Sequence, residues 1–178
     1  MMNQEEQCVY TELLVTRCQQ GDKDAFESVV ELWQKPMLGF ALRYFDRDID
    51  ACDVVQETWV TVIRQLNTLR NPSLFISWLF RILANKCIDR IRAEQKRARC
   101  LEQADVKPES SALSSESDSL SRAIRGLSAE HKTIIMLRFG QGLQVGQIAA
   151  MLNMAEGTVK SRLHRALARL REILGDTV

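Results

Sequence analysis

The sequence predicts an all-α protein built as two small helical domains joined by a flexible linker. Three observations carry that prediction. Apolar residues recur at spacings of three and four over most of the chain, and no stretch alternates apolar and polar residues as a half-buried strand would. The segment CLEQADVKPESSALSSESD, residues 100–118, is serine-rich and acidic, with too few large apolar side chains to offset the entropy of ordering it. Finally, 178 residues, 46% hydrophobic and 26% charged, are enough for two small cores. The expected domains are therefore residues 10–99 and 119–175, with 100–118 as the linker.

The first domain should hold four helices. Residues 11–20 carry Leu13, Leu14 and Arg17 at helical spacing and end at a Gly21-Asp22 turn. Residues 23–45 follow, with Phe26, Val29, Val30, Trp33, Met37, Phe40, Ala41 and Tyr44 in register. Pro36 lies inside this run and lacks an N–H, which implies a kink or a shifted start. Residues 48–66 open with acids that suit a helix N-terminus and continue through Val54, Val55, Trp59, Val62, Ile63 and Leu66. Asn71-Pro72-Ser73 breaks the chain before a helix from Phe75 to about Arg97, marked by Trp78, Leu79, Ile82, Leu83, Cys87, Ile88 and Ile91.

In the second domain the expected helices are 119–126, 129–139 with Ser128 as cap, 145–152 and 156–174. The last two have helix-turn-helix spacing. Ile148, Ala149 and Leu152 form the buried side of the first, Asn153-Met154-Ala155 is a tight turn in which Asn153 tolerates a left-handed conformation, and Val159 with Leu163 bury the second. On the second helix, Val159, Leu163, Ala166, Leu167 and Leu170 form one stripe, opposite Thr158, Ser161, Arg162, Arg165 and Arg169. In such motifs the start of the second helix enters the major groove, which offers Glu156, Thr158, Ser161, Arg162 and Arg165 to base edges and phosphates.

A formal net charge of +1 conceals segregation. Lys86 to Arg99 holds six bases against Asp89 and Glu94, and Glu156 to Glu172 holds five against two acids. Each island is either a solvated helix face or a contact to a polyanion. Other chemistries find little support. The start, MMNQEEQCVY, has no signal-peptide pattern, and FISWLFRILA is short and carries Arg81, so a cytosolic chain without membrane insertion is expected. The five cysteines, Cys8, Cys18, Cys52, Cys87 and Cys100, include no C-x-x-C pair and read as free thiols, without disulfide or metal. His131 and His164 lie apart from any Ser or Cys partner, and Asp46, Asp48, Asp50 and Asp53 lack the spacing of a calcium loop. Neither a catalytic site nor a cofactor is expected.

QIAAMLNMAEGTVKSRLHRALARLR resembles the C-terminal domain of extracytoplasmic-function (ECF) sigma factors, the two-domain members of the sigma-70 family of bacterial transcription initiation factors. DACDVVQETWVTVI and FISWLFRILANKCIDRIR resemble the same family's first domain, in the family's order and separation. The resemblance implies a protein that binds core RNA polymerase, reads the −35 promoter element as duplex, helps open the −10 element and catalyses no bond change.

Residue by residue, the resemblance implies polymerase contacts at Asp53, Gln56 and Glu57, whose spacing alone suggests plain solvation. It implies capture of an unpaired −10 base by Asn85 and the Arg70-to-Phe75 loop, with Arg81, Lys86, Arg90 and Arg92 on backbone phosphates. Trp59, Trp78 and Phe80 could stack on bases, though their helical spacing favours core packing. The −35 set is Glu156, Thr158, Lys160, Ser161, Arg162, Arg165 and Arg169, with Lys160 and Arg169 on phosphates. An anti-sigma protein covering both DNA-binding faces is the implied regulator. Three positions depart from the family pattern: Cys52 replaces an acid, Gly146-Gln147 replaces an acidic position, and Ala155 replaces a Ser or Thr cap. The other reading is a helix-turn-helix regulator that binds duplex DNA without polymerase.

Overall fold

A computed structural model describes residues 4–45, 47–101 and 118–175. The linker expected over 100–118 lies almost wholly outside these residues, as does Asp46, and the side chain of Cys100 is not described. Eight α-helices occupy the described residues, and no strand occurs among them. They are α1 (Gln4–Gln19), α2 (Lys23–Ala41), α3 (Asp48–Gln65), α4 (Phe75–Leu101), α5 (Asp118–Arg125), α6 (Ala129–Ile135), α7 (Val145–Leu152) and α8 (Glu156–Gly175). None of the described helices is long and apolar enough to cross a membrane.

Local chemistry explains most boundaries. Asp22 caps α2 by accepting from the Ala25 N–H at 3.0 Å, and Gly21 takes φ 93° in the turn before it. Pro36 sits inside α2 without displacing its start at Lys23. The helix stops at Ala41, earlier than the apolar spacing to Tyr44 implied, because Leu42–Tyr44 tighten into turns, with the Tyr44 N–H donating to Ala41 at 2.8 Å. Asn71 accepts from the Ser73 N–H at 3.1 Å and starts a 3-10 turn over Pro72–Leu74 that leads into α4. In the second unit Ser128 caps α6 as expected. The 129–139 helix widens into a π turn over Met136–Gly140, where the Gln141 N–H reaches the Met136 carbonyl.

Helices α1–α4 surround a core of Val29, Met37, Phe40, Phe75, Leu79, Phe80 and Leu83, all essentially inaccessible. Phe80 meets Trp33 edge-on at 6.0 Å and Phe40 at 5.4 Å, so truncating it to Ala should cost about 3–5 kcal/mol. Phe80 and Trp59 are thus core residues, which decides their reading against base stacking; Trp78 is half-buried. A second core of Ile134, Leu137, Ile148, Val159, Ala166 and Leu170 joins α6, α7 and α8, with α5 against α8. The units meet where α4 packs on α6 and α7.

Candidate nucleic-acid and polymerase interfaces

The turn between α7 and α8 is built by Asn153. It ends α7 at φ 52° and ψ 51°, the left-handed conformation expected of it, and the Met154 N–H then closes on the Ala149 carbonyl at 2.9 Å. Ile148 and Ala149 are buried as expected, but Met151 takes the third core position while Leu152 is half-buried. At the other end of α7 the Gln147 side-chain oxygen accepts from the Gln144 N–H at 2.8 Å, closing that end with an amide instead of an acid. Ala155 gives α8 no side-chain cap; its carbonyl accepts from the Thr158 and Val159 N–H groups at 2.9 and 3.2 Å.

Glu156, Lys160, Ser161, Arg165 and Arg169 are exposed on α8, whereas Thr158 and Arg162 are half-buried. Most of these groups already have partners. Ser161 donates its hydroxyl to the Thr158 carbonyl at 3.0 Å, Lys160 lies 3.8 Å from Glu156, and Arg169 lies 2.8 Å from Glu172. Arg162 makes a 2.7 Å ion pair with Glu130 of α6. Arg165 alone among these cations has no ion pair with a described residue.

On the first unit, Asp53, Gln56 and Glu57 are exposed along α3, beside the apolar and equally exposed Ile49, Val60 and Ile63. Facing them from α4 are Lys86, 3.6 Å from Glu57, and Arg90. Arg90 reaches Asp50 at 2.9 Å, Asp53 at 3.6 Å, Glu57 at 4.0 Å and, on its own helix, Glu94 at 3.5 Å. The hydrogen bond to Asp50, opposed by a little desolvation and aided by the surrounding carboxylates, pushes the Arg90 guanidinium still further up. Arg92 is solvated beside Asp89 at 3.9 Å, and Arg81 is exposed with no ion pair to a described residue.

Asn85 is exposed on α4 and lines a cleft between the units. This cleft, of about 270 Å³, is lined by Asn85, Asp89 and Arg92 from one side and Glu130, Met154 and Arg162 from the other. Asn85 and Arg92 of the residues expected at the −10 element therefore share one space with Arg162 of those expected at the −35 element. Beside it, Tyr44 and Thr133 share a buried 2.7 Å hydrogen bond, and the ammonium of Lys132, 4% exposed, lies 5.3 Å from the Tyr44 ring centre. Burial pushes the nearby Cys87 thiol up to about 12, with Lys132 pulling the other way, and likewise raises the Tyr44 phenol. A second groove, lined by Leu69, Leu74, Trp78 and Arg81 against Ala150 and Met151, runs along the same boundary.

Two family descriptions match the chain: Sigma-70 region 2 over residues 29–97 and Sigma-70 region 4 over residues 123–172. The ECF RNA polymerase sigma-E factor of Haemophilus influenzae is 36% identical, covering 86% of this chain and 89% of its own length. The chain belongs to the ECF sigma factors. Another relative, the ECF RNA polymerase sigma factor SigW of Bacillus subtilis, is 30% identical over 91% of this chain and 95% of its own. Among solved structures, the sigma factor RpoE of Bartonella quintana, in complex with the anti-sigma factor NepR, is similar at 30% identity and a TM-score of 0.72, covering 86% of this chain.

Within this sigma factor, Glu130, Asp50, Tyr44 and Thr133 are the neighbours of the candidate site that sequence reasoning missed. Asp50 belongs to an acidic run without calcium-loop spacing, and its partner Arg90 stands 40 residues away. Tyr44 and Thr133 are 89 residues apart. No local spacing signals either pairing. Among the described residues no group of three or more His, Cys, Asp or Glu side chains could hold a metal ion.

Proposed function

We propose that this sigma factor binds core RNA polymerase through Asp53, Gln56 and Glu57 and directs it to promoters without catalysing a reaction itself. Residues 10–99 serve polymerase and −10 binding, 119–175 serve −35 binding, and 100–118 tether the two. Asn85 captures an unpaired −10 base, with Arg81, Lys86, Arg90 and Arg92 on phosphates. On α8, Arg162 and Arg165 meet base edges, Lys160 and Arg169 meet phosphates, and Glu156, Thr158 and Ser161 complete the surface. Its place of action is the cytoplasm, where polymerase and DNA are.

The observation that carries this reading is the pair of helical units in region 2 then region 4 order, each presenting a polar, cation-bearing face on the helix that the family resemblance designates. The cleft adds a condition. Elements named for positions 35 and 10 lie roughly 20 base pairs or more apart, about 70 Å of duplex at 3.4 Å per pair. Asn85 and Arg162 line one cleft, so the units must separate before both elements can be bound. A protein that holds them together would silence the factor. An anti-sigma partner fits that role, and the similarity to a sigma factor solved with its anti-sigma factor supports it.

Reconstituted transcription tests the proposal. Added to core polymerase, the chain should confer initiation on a subset of promoters, and changing Asp53, Gln56 and Glu57 together to Ala should weaken core binding at unchanged helicity. Binding to duplex DNA with no co-purification of core enzyme would instead establish the polymerase-independent regulator.

A further inference from the structure

The apolar groove along the boundary between the units has no part in the assignments made so far. It encloses about 470 Å³, within the roughly 300–1,000 Å³ of small-molecule sites. One wall follows the start of α4: Leu74, Trp78 and Arg81 succeed one another at spacings of four and three, which sets the Arg81 backbone roughly 10 Å along the wall from Leu74. Ala150 and Met151 of α7 stand on the opposite wall. Leu74 is 53% exposed, so its apolar side chain is left half uncovered. Of the residues lining the groove only Arg81 is charged, and its guanidinium has no ion pair with a described residue. The nearby Glu156 carboxylate, which would stand 3.1 Å from a Cβ added to Gly146, is balanced by Lys160 at 3.8 Å.

An apolar trough with one unbalanced cation suits a single-chain amphiphile that carries one negative charge. A phosphate head would bring a second charge that no lining residue compensates, and a two-chain lipid would leave one chain in water. We propose that the groove binds a free medium-chain carboxylate, its head on the Arg81 guanidinium and its chain between Leu74 and Trp78 on one side and Ala150 and Met151 on the other. Because the two walls belong to different units, the ligand binds only while the units are together, and it stabilises that arrangement by mass action. Its carboxylate also occupies a cation proposed above for a −10 phosphate. The ligand therefore opposes promoter binding. That consequence rests on the separation of the units proposed above; the binding site itself does not.

Calorimetric titration of the full chain with decanoate, below its micelle concentration, tests the site. One decanoate should bind per chain with a Kd of about 0.1 mM. From hexanoate to decanoate each added CH2 should tighten binding about two- to fourfold. Decanol should bind about two- to fivefold more weakly than decanoate, and Arg81→Gln should remove that difference. Ala150→Trp, on an exposed position of α7, fills the groove and should abolish binding at unchanged helicity. Absence of saturable binding, or binding that survives Ala150→Trp, overturns the site, and equal affinity for decanoate and decanol overturns the acid as its ligand. At about ten times its Kd, decanoate should slow amine modification of Lys132, 4% exposed while the units are together, about tenfold. An unchanged Lys132 rate would overturn the claim that the ligand holds the units closed. If decanoate slows Lys132 modification yet leaves simultaneous binding of a −10 strand and a −35 duplex unaltered, the separation required for function fails and the site stands.

Discussion

Replacing Tyr44 with Phe should loosen the closed arrangement of the two units while leaving both cores intact. The Thr133 hydroxyl donates to the Ala129 carbonyl at 2.7 Å, so in the 2.7 Å contact between the two hydroxyls it is Tyr44 that donates. Phe keeps the ring against Phe40, at 5.4 Å, and beneath Lys132, and removes only that hydrogen bond. A buried neutral hydrogen bond contributes about 0.5–1.5 kcal/mol, so the closed-to-open ratio should fall about 2- to 13-fold. Lys132 reports the change, because it is 4% exposed while the units are together and its ammonium lies 5.3 Å from the ring centre of Tyr44 in the first unit. When opening is fast relative to labelling, its rate of amine modification, read by peptide mass, follows the open fraction and should rise by the same factor. Amide exchange in Phe75–Leu83 should not change, which separates opening from global unfolding. An unaltered Lys132 rate in both Tyr44→Phe and Thr133→Val would refute the argument that this bond holds the units together.

Three further outcomes follow from the same geometry. Asn153→Ala forces a Cβ-bearing residue without a local polar partner into φ 52°, at a cost of about 1 kcal/mol, and should lower the melting temperature of the full chain, whereas Asn153→Gly should not; equal melting of Ala and wild type would remove the turn from the account. Arg165→Ala should cost about 1–3 kcal/mol on a cognate −35 duplex if it reads guanine, while Arg162→Ala should cost less than a full base contact, because the wild type must first give up Glu130; identical losses on cognate and scrambled duplexes would leave both as phosphate contacts. At pH 8 the buried Cys87 thiol, held up to about 12, should resist alkylation while exposed Cys8 and Cys52 react, and equal reactivity would contradict its burial.

Helices were legible in the sequence because their signals are local. The apolar stripe of α3, the Ser128 cap and the Asn153 turn each involve residues within about one or two turns of one another, so spacing and side-chain chemistry suffice. Tyr44 shows where that reasoning stops. Its spacing continues the stripe of α2, but the helix ends at Ala41 and the chain turns, which delivers the phenol to Thr133 in the other unit. Periodicity reports that a residue is buried and is silent about which surface buries it. The choice of Met151 over Leu152 for the α7 core has the same origin, since both lie within the range a helical stripe allows and only the packing of α4 and α8 discriminates.

The candidate sites show this most clearly in their charges. Counting bases along α4 and α8 treats every cation as available, yet Lys86, Arg90, Arg92, Lys160, Arg162 and Arg169 all lie within 4.0 Å of a carboxylate. Three of these partners come from neighbours within about one turn, Asp89, Glu156 and Glu172, and were visible as i,i+3 and i,i+4 spacings. Those that matter most come from other helices: Asp50 and Glu57 across from α4, and Glu130 across from α8. Of the cations assigned to DNA on α4 and α8, only Arg81 and Arg165 have no described acidic partner. Each ion pair that must break to admit a phosphate lowers the net gain from that contact, and each carboxylate left nearby repels the strand. The number of counterions released, and with it the salt slope of DNA binding, should therefore be smaller for the free chain than its basic islands imply.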